Sequence, residues 1–160
     1  MSQKQVVSLE DENYPILKQK IKDQMKLKAV VTVNGDSTAE DALNLMRKYK
    51  IGSLAVVNSE GNFIGVITER DMIFKCDFKK KWHKAPISNL MTKKVQTLDV
   101  NSSLEDALSL ISKKRFRHIP LLEDGKIKYM LSIKDLIPTI FELCGEDLIF
   151  LNSLHEKVAA

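Results

Sequence analysis

The sequence predicts a mixed α/β (α+β) fold made of two β-α-β-β-α units related by pseudo-twofold symmetry. Their small sheets pack face to face with helices outside, and extra helices stand at both ends. Three observations predict it. Glu40-Asp41-Ala42-Leu43 recurs as Glu105-Asp106-Ala107-Leu108 at an offset of 65, which Thr32/Thr97 and Leu45/Leu110 also keep. An apolar stretch running into a hydroxyl and then an Asp occurs twice, as Gly65-Val66-Ile67-Thr68-Glu69-Arg70-Asp71 and as Tyr129-Met130-Leu131-Ser132-Ile133-Lys134-Asp135, at an offset of 64. The lead-in Ile21-Lys22-Asp23-Gln24-Met25 resembles Ile87-Ser88-Asn89-Leu90-Met91 at an offset of 66. Two copies are too few for a solenoid and suit a pair in which each unit covers the other's exposed sheet face.

The elements follow from local pattern. Residues 1–13 are polar, and order is not expected at their start. Ile16, Leu17, Ile21 and Met25 have helical spacing over 14–25. Ala29 to Val33 reads as a strand and Asn34-Gly35-Asp36-Ser37 as a turn. Thr38 caps the next helix with Asp41 three residues on, and that helix is expected to bury Ala42, Leu45, Met46 and Tyr49. Ile51 to Val57 is a strand, Asn58 to Asn62 a hairpin turn, Phe63 to Ile67 the return strand, and a helix runs from Glu69 into Cys76. In the second unit Val95 to Leu98 is a strand and Asp99-Val100-Asn101 a turn. Ser103 to Lys114 is a helix and His118 to Leu122 a strand. Glu123-Asp124-Gly125 turns back into Lys126 to Leu131, and a last helix starts near Ile133. Pro138 is expected to kink that helix or delay its regular part. Glu146 to Val158, with Leu148, Leu151 and Leu154, reads as a further helix. The domain reading is therefore an N-terminal extension at 1–20, repeats at 21–77 and 87–143, a basic linker at 78–86 and a C-terminal helix at 144–160.

Composition narrows the function classes. Hydrophobic content of 44% with 29% charged residues is that of an ordinary globular protein. The +4 net charge is mild, and Lys79-Lys80-Lys81-Trp82-His83-Lys84 is short with one aromatic. It reads as a solvated linker and argues against nucleic acid as the partner. Cys76 and Cys144 lie far apart, and His83, His118 and His155 are scattered, so neither a disulfide scaffold nor a metal site is expected. No apolar run reaches the ~18 residues of a membrane span, and no signal-peptide h-region is seen. The expected compartment is the cytoplasm.

The two hydroxyl-x-x-Asp junctions carry the chemistry. A hydroxyl and a carboxylate on one side of a first helical turn can exchange hydrogen bonds with a polyol such as a ribose. They can equally be N-caps, with Asp71 and Asp135 as the N3 partners of Thr68 and Ser132.

The ordered pairs of lead-ins, Glu-Asp-Ala-Leu helices and hydroxyl-x-x-Asp junctions resemble a tandem CBS-domain pair, or Bateman module, over about Ile21 to Leu143. Ile51-Gly52-Ser53-Leu54-Ala55-Val56-Val57 and Arg117-His118-Ile119-Pro120-Leu121-Leu122 complete the match. The resemblance implies two symmetry-related clefts between the repeats that bind adenosine-containing ligands: AMP, ADP or ATP, or else S-adenosylmethionine or NAD. In one cleft Asp71 and Thr68 would hold the ribose. Val95, Gln96 and Thr97 would read the base, and Arg117, His118 (beside Pro120) and Arg70 would meet phosphate. In the other, Asp135 and Ser132 would hold the ribose, Val30, Val31, Thr32, Gly52 and Ser53 would frame the base, and Lys134 would be the local cation. Tyr129, standing where the first repeat has Gly65, could fill this cleft or stack on a base. The Asp71/Arg117/His118 cleft is expected to favour anionic nucleotide.

The expected function is a stand-alone regulatory sensor that signals to an effector protein whose identity the residues leave open. A homodimer through the CBS helices is implied as well. A structural or oligomerising pair without ligand is the alternative, and a nucleic-acid-binding CBS protein is a further one. No nucleophile–base set or Gly-rich phosphate loop points to an enzyme, and no obligatory cofactor is expected.

Overall fold

The computed structural model describes residues 15–75, 81–114 and 116–144. The elements, in chain order, are α1 (Ile21–Gln24), β1 (Thr32–Asn34), α2 (Ala39–Tyr49), β2 (Ser53–Val57), β3 (Phe63–Thr68), α3 (Glu69–Lys75), β4 (Leu98–Asp99), α4 (Leu104–Lys114), β5 (His118–Glu123), β6 (Lys126–Ser132) and α5 (Ile133–Cys144). Each repeat thus supplies strand, helix, strand, strand, helix. The two three-stranded sheets run in the order β1-β2-β3 and β4-β5-β6. In the first, β1 lies parallel to β2, and β2 pairs antiparallel with β3 with Ser53 opposite Thr68.

The chain divides into two compact units that cut across the sequence repeats. One takes Lys28–Thr97 with Pro120–Met130. The other takes, of the described residues, 15–27, 98–114, 116–119 and 131–144. The lead-ins change places, and Val30 N–H donates to the Lys128 carbonyl, which draws 120–130 to the first unit. In the first unit the lead-in of the second repeat straps the first: Ala39 N–H donates to the Ala85 carbonyl, Ile87 N–H to Ser37 and Ser88 N–H to Gly35, each at 2.9 Å. In the other unit the same three bonds recur at matching positions, from Leu104 to Gln19, Ile21 to Ser102 and Lys22 to Val100. Ile21 and Ile87 are fully buried, so each strap sinks an aliphatic side chain into the unit it covers.

The core of the first unit gathers Val33, Ala39, Ala42, Met46, Leu54, Val56, Ile67, Met72, Ile87, Leu90 and Met91. The second unit buries Leu104, Leu108, Ile119, Leu131, Leu136 and Ile140.

Several expectations change. The periodic stretch over 14–25 is not one helix. Pro15–Lys18 is a 3-10 turn, and Lys20 leaves helical geometry to bridge Ser103 before α1 begins. Tyr49 is not core. It is 48% exposed, and the buried face of α2 is Ala39, Ala42 and Met46. The basic linker is not wholly solvated, because Trp82 and Ala85 pack against the core of the first unit. The first strand of each repeat is shorter than the apolar run suggests. Pro120 stands where Ala55 donates its N–H to Val31, so β5 lacks that donor, and β4 has two residues where β1 has three. Pro138 lies inside α5 and does not delay it, since the helix is continuous from Ile133. Residues 1–14, Cys76, Lys79 and Lys80, and the expected helix at 146–158 lie outside the described residues.

Candidate functional site

The Thr68–Asp71 junction sits where β3 gives way to α3. Thr68 closes the strand opposite Ser53, and Glu69 N–H donates to the Gly52 carbonyl at 3.0 Å, which fixes the helix start against the entry of β2. Asp71 then faces back on Thr68. Its Oδ2 accepts from Thr68 N–H at 2.9 Å and from Thr68 Oγ1 at 2.6 Å, while its own N–H donates to Thr68 Oγ1 at 3.2 Å. The other oxygen is occupied by different partners. Lys75 Nζ lies 2.7 Å from Oδ1, and Thr92 Oγ1 donates to it at 3.3 Å. The same ammonium donates to the Leu90 carbonyl at 2.8 Å and reaches Thr92 Oγ1 at 3.4 Å. Lys75 therefore ties α3 to the strap supplied by the second repeat.

With its side chain 12% exposed, Asp71 feels opposing influences. Burial pushes its carboxyl up. The Lys75 hydrogen bond and charge, with the Thr68 bonds, pull it down by more, so it lies below its ordinary 3.8.

Among the described residues the hydroxyl-x-x-Asp pattern occurs four times, and hydrogen bonds form in all four. Thr38/Asp41 and Ser103/Asp106 make the reciprocal bonds of Thr68/Asp71, and Ser132 Oγ donates to Asp135 Oδ2 at 2.8 Å. The pattern is thus a helix start first. What sets the two later-strand junctions apart is shelter: Asp71 and Asp135 are half-buried, whereas Asp41 is exposed. The second junction mirrors the first in backbone, with Ile133 N–H donating to the Arg117 carbonyl at 3.0 Å as Glu69 does to Gly52.

The other predicted residues are placed as follows. Ser53 is buried, Val31 and Gly52 are half-buried, and Thr32 is exposed on β1. A Cβ at Gly52 would lie 3.1 Å from a Glu69 carboxylate oxygen, so the glycine leaves room for that side chain. Arg70 is exposed, its guanidinium 5.4 Å over the Phe74 ring. Gln96 is exposed and Thr97 half-buried; neither lies in a strand. Arg117 is exposed, His118 half-buried at the start of β5, and Pro120 buried. Ser132 and Asp135 are half-buried and Lys134 exposed on the first turn of α5. Tyr129 is half-buried and bridges Ala29.

Sequence reasoning missed Lys75, Thr92 and Glu69. The i,i+4 spacing of Asp71 and Lys75 was a usable signal. Thr92 and Glu69 gave none, because their proximity comes from tertiary pairing.

Comparison with known proteins agrees with this architecture. The family model described as CBS domain matches residues 23–76 and 87–142. The chain is 35% identical over 109 residues to inosine-5'-monophosphate dehydrogenase of Aquifex aeolicus, covering 67% of this chain but 22% of that protein. It therefore spans under a quarter of that relative's length. It is 28% identical over 116 residues to the CBS domain-containing protein YhcV of Bacillus subtilis, covering 72% of this chain and 81% of that one. Among solved structures, a CBS-domain containing protein from Agrobacterium tumefaciens superposes with a TM-score of 0.67 at 28% identity, covering 74% and 97% of the two chains. CBSX2 in complex with AMP shares the fold, with a TM-score of 0.67 at 23% identity, covering 79% and 99%. With two matched copies spanning most of its length, the chain belongs to the CBS-domain family, as a tandem pair.

Proposed function

We propose that this chain is a regulatory, non-enzymatic sensor that binds an adenosine-containing ligand in clefts between its two CBS repeats and signals to an effector protein by conformational change. The ligand is AMP, ADP or ATP, or else S-adenosylmethionine or NAD. The observation that carries the reading is the half-buried Asp71 carboxylate at a strand-to-helix junction, which can accept from both hydroxyls of a ribose. A structure of the same fold holding AMP supports the ligand class. Thr68, Asp71, Gln96, Thr97, Arg70, Arg117, His118 and Pro120 are assigned to one cleft. Val31, Thr32, Gly52, Ser53, Ser132, Lys134 and Asp135 are assigned to the other. A ligand shifts such a pair only by its difference in affinity between two states.

The reading places the protein in the cytoplasm as a homodimer through its helices. On α3, Ile73 and Phe74 are 63% and 75% exposed, which supports a partnered helix face. Among the described residues no helix is long and apolar enough to cross a membrane.

Thermal melting with adenosine, AMP, ADP, ATP, S-adenosylmethionine and NAD tests the sensor. A stabilising shift with at least one, lost in Asp71→Asn or Asp135→Asn, is expected. No shift with any of them favours the structural alternative, an oligomerising pair without ligand. Mass spectrometry of the freshly purified protein identifies a carried-over ligand.

A further inference from the structure

The Asp71 carboxylate is already saturated. A carboxylate offers roughly four acceptor sites, and four donors reach this one: Thr68 N–H and Thr68 Oγ1 on Oδ2, Lys75 Nζ and Thr92 Oγ1 on Oδ1. The Thr68 donors also build the start of α3, so giving them up would fray the helix. The Oδ1 donors are different. Lys75 is 41% exposed and keeps its bond to the Leu90 carbonyl if it leaves Asp71, and the Thr92 contact is long. A diol arriving at Asp71 must therefore take Oδ1, where the ammonium now sits.

We propose that Lys75 is an internal competitor for ligand at Asp71, a specificity-determining residue that a ribose must displace before the site can hold it. The proposal rests on Asp71 being the ribose acid. Displacement sets the chemical preference. A neutral nucleoside must overcome the Asp71–Lys75 attraction with two hydroxyls alone. A nucleotide supplies in addition a phosphate that the released ammonium can meet, so the ion pair is exchanged rather than lost. The residue thus discriminates against uncharged adenosine and in favour of a phosphorylated ligand. Thr139 holds the matching position in the second repeat, where its hydroxyl donates to the Asp135 carbonyl at 3.0 Å. That repeat carries no lysine at this point of its helix.

The test is calorimetry of adenosine and AMP against the full chain and its Lys75→Met, Lys75→Arg and Asp71→Asn variants, with melting temperatures taken in parallel. Lys75→Met is expected to bind adenosine several-fold more tightly at one site and to narrow the AMP-to-adenosine preference, even though its ligand-free melting temperature falls. Lys75→Arg, which keeps the charge, should stay near the parent. A purely structural lysine would lower stability without raising affinity. If Asp71→Asn abolishes binding but Lys75→Met binds adenosine no better, the competitor idea fails and the ribose acid stands. If parent and variants alike bind no adenosine compound, both fall.

Discussion

The Thr92 carbonyl oxygen lies 2.6 Å from where a Cβ on Gly65 would stand, with the Met91 sulfur at 3.0 Å. The approach is that close because Val66 and Thr92 pair as an isolated bridge, Val66 N–H to Thr92 at 3.0 Å and Thr92 N–H to Val66 at 2.8 Å. Gly65 is thus where the strap meets β3 without room for a side chain. Gly65→Ala should push the strap outward and destabilise the protein by about 1–3 kcal/mol, the usual cost of overpacking a tight site. Denaturant unfolding measures it, and an unchanged midpoint would refute the steric account.

Tyr129 occupies the matching place in the second repeat and pairs instead with Ala29, while Val30 N–H donates to the Lys128 carbonyl at 2.8 Å. The Gly65/Tyr129 difference was visible in the sequence. What it does was not, because the partners come from segments far away in the chain. The same limit explains the rest. The β-α-β-β-α order, the hairpin at Asn58–Asn62 and the cap at Thr38 were legible, since each follows from neighbours within a few residues. Asn58 Oδ1 accepting from Glu60 and Asn62 N–H is such a local signal. The exchange of lead-ins was not legible, because Ile21 and Ile87 look alike in pattern and only tertiary packing says which repeat each one straps. At the candidate site the Thr68–Asp71 pair could be read and Lys75 could have been. Thr92, 21 residues from Asp71, could not.

The exchanged straps make a prediction about where a mutation is felt. Ile87 belongs by sequence to the second repeat but is buried in the core with Val33, Ala42 and Leu54 of the first. Ile87→Ala should cost about 2–5 kcal/mol. Hydrogen exchange should rise at Ala39 and Ser88, whose N–H groups join strap and first repeat by bonding the Ala85 and Gly35 carbonyls. Loosening confined to residues 98–119 would contradict the exchange.

Lys50 ends α2 with φ 53° and ψ 46°, a left-handed conformation that costs a residue with a Cβ. Its N–H still reaches the Arg47 and Met46 carbonyls, so the geometry is a working helix stop. Lys50→Gly should keep that stop and relieve the strain, raising stability by up to about 1 kcal/mol after the entropy of the unfolded glycine is counted. A lower melting temperature would show that the Lys50 side chain contributes more than its backbone costs.

Asp71 gives a pH dependence whose sign is fixed. Its carboxyl is lower in the folded protein than the ordinary 3.8, so the folded state binds fewer protons than the unfolded chain in that range. The stability it contributes is fully present above the ordinary value and is lost as pH falls through the lowered one. Asp71→Asn should therefore destabilise the protein at neutral pH and flatten the acid limb below about pH 4, where unfolded carboxylates take up protons. Urea midpoints from pH 7 to pH 2.5 measure both. A variant whose acid limb matches the parent's would mean the Lys75–Asp71 pair contributes nothing on folding.

The last expectation concerns the inequality of the two acids. Asp71 has the Lys75 ammonium one helical turn on, 2.7 Å from its carboxylate, whereas Thr139, at the matching place beyond Asp135, donates to that residue's backbone carbonyl. A phosphate arriving with the ribose gains a charged partner at the Asp71 junction from the very group it displaces. At the Asp135 junction the nearest lysine in sequence is the exposed Lys134, where solvent weakens the attraction. AMP should therefore lose more affinity on Asp71→Ala than on Asp135→Ala, while adenosine should lose comparable amounts or show the reverse order. Calorimetry of both variants with both ligands, repeated at two salt concentrations, decides it. Equal losses for AMP would mean that the charge beside each acid plays no part in choosing the ligand.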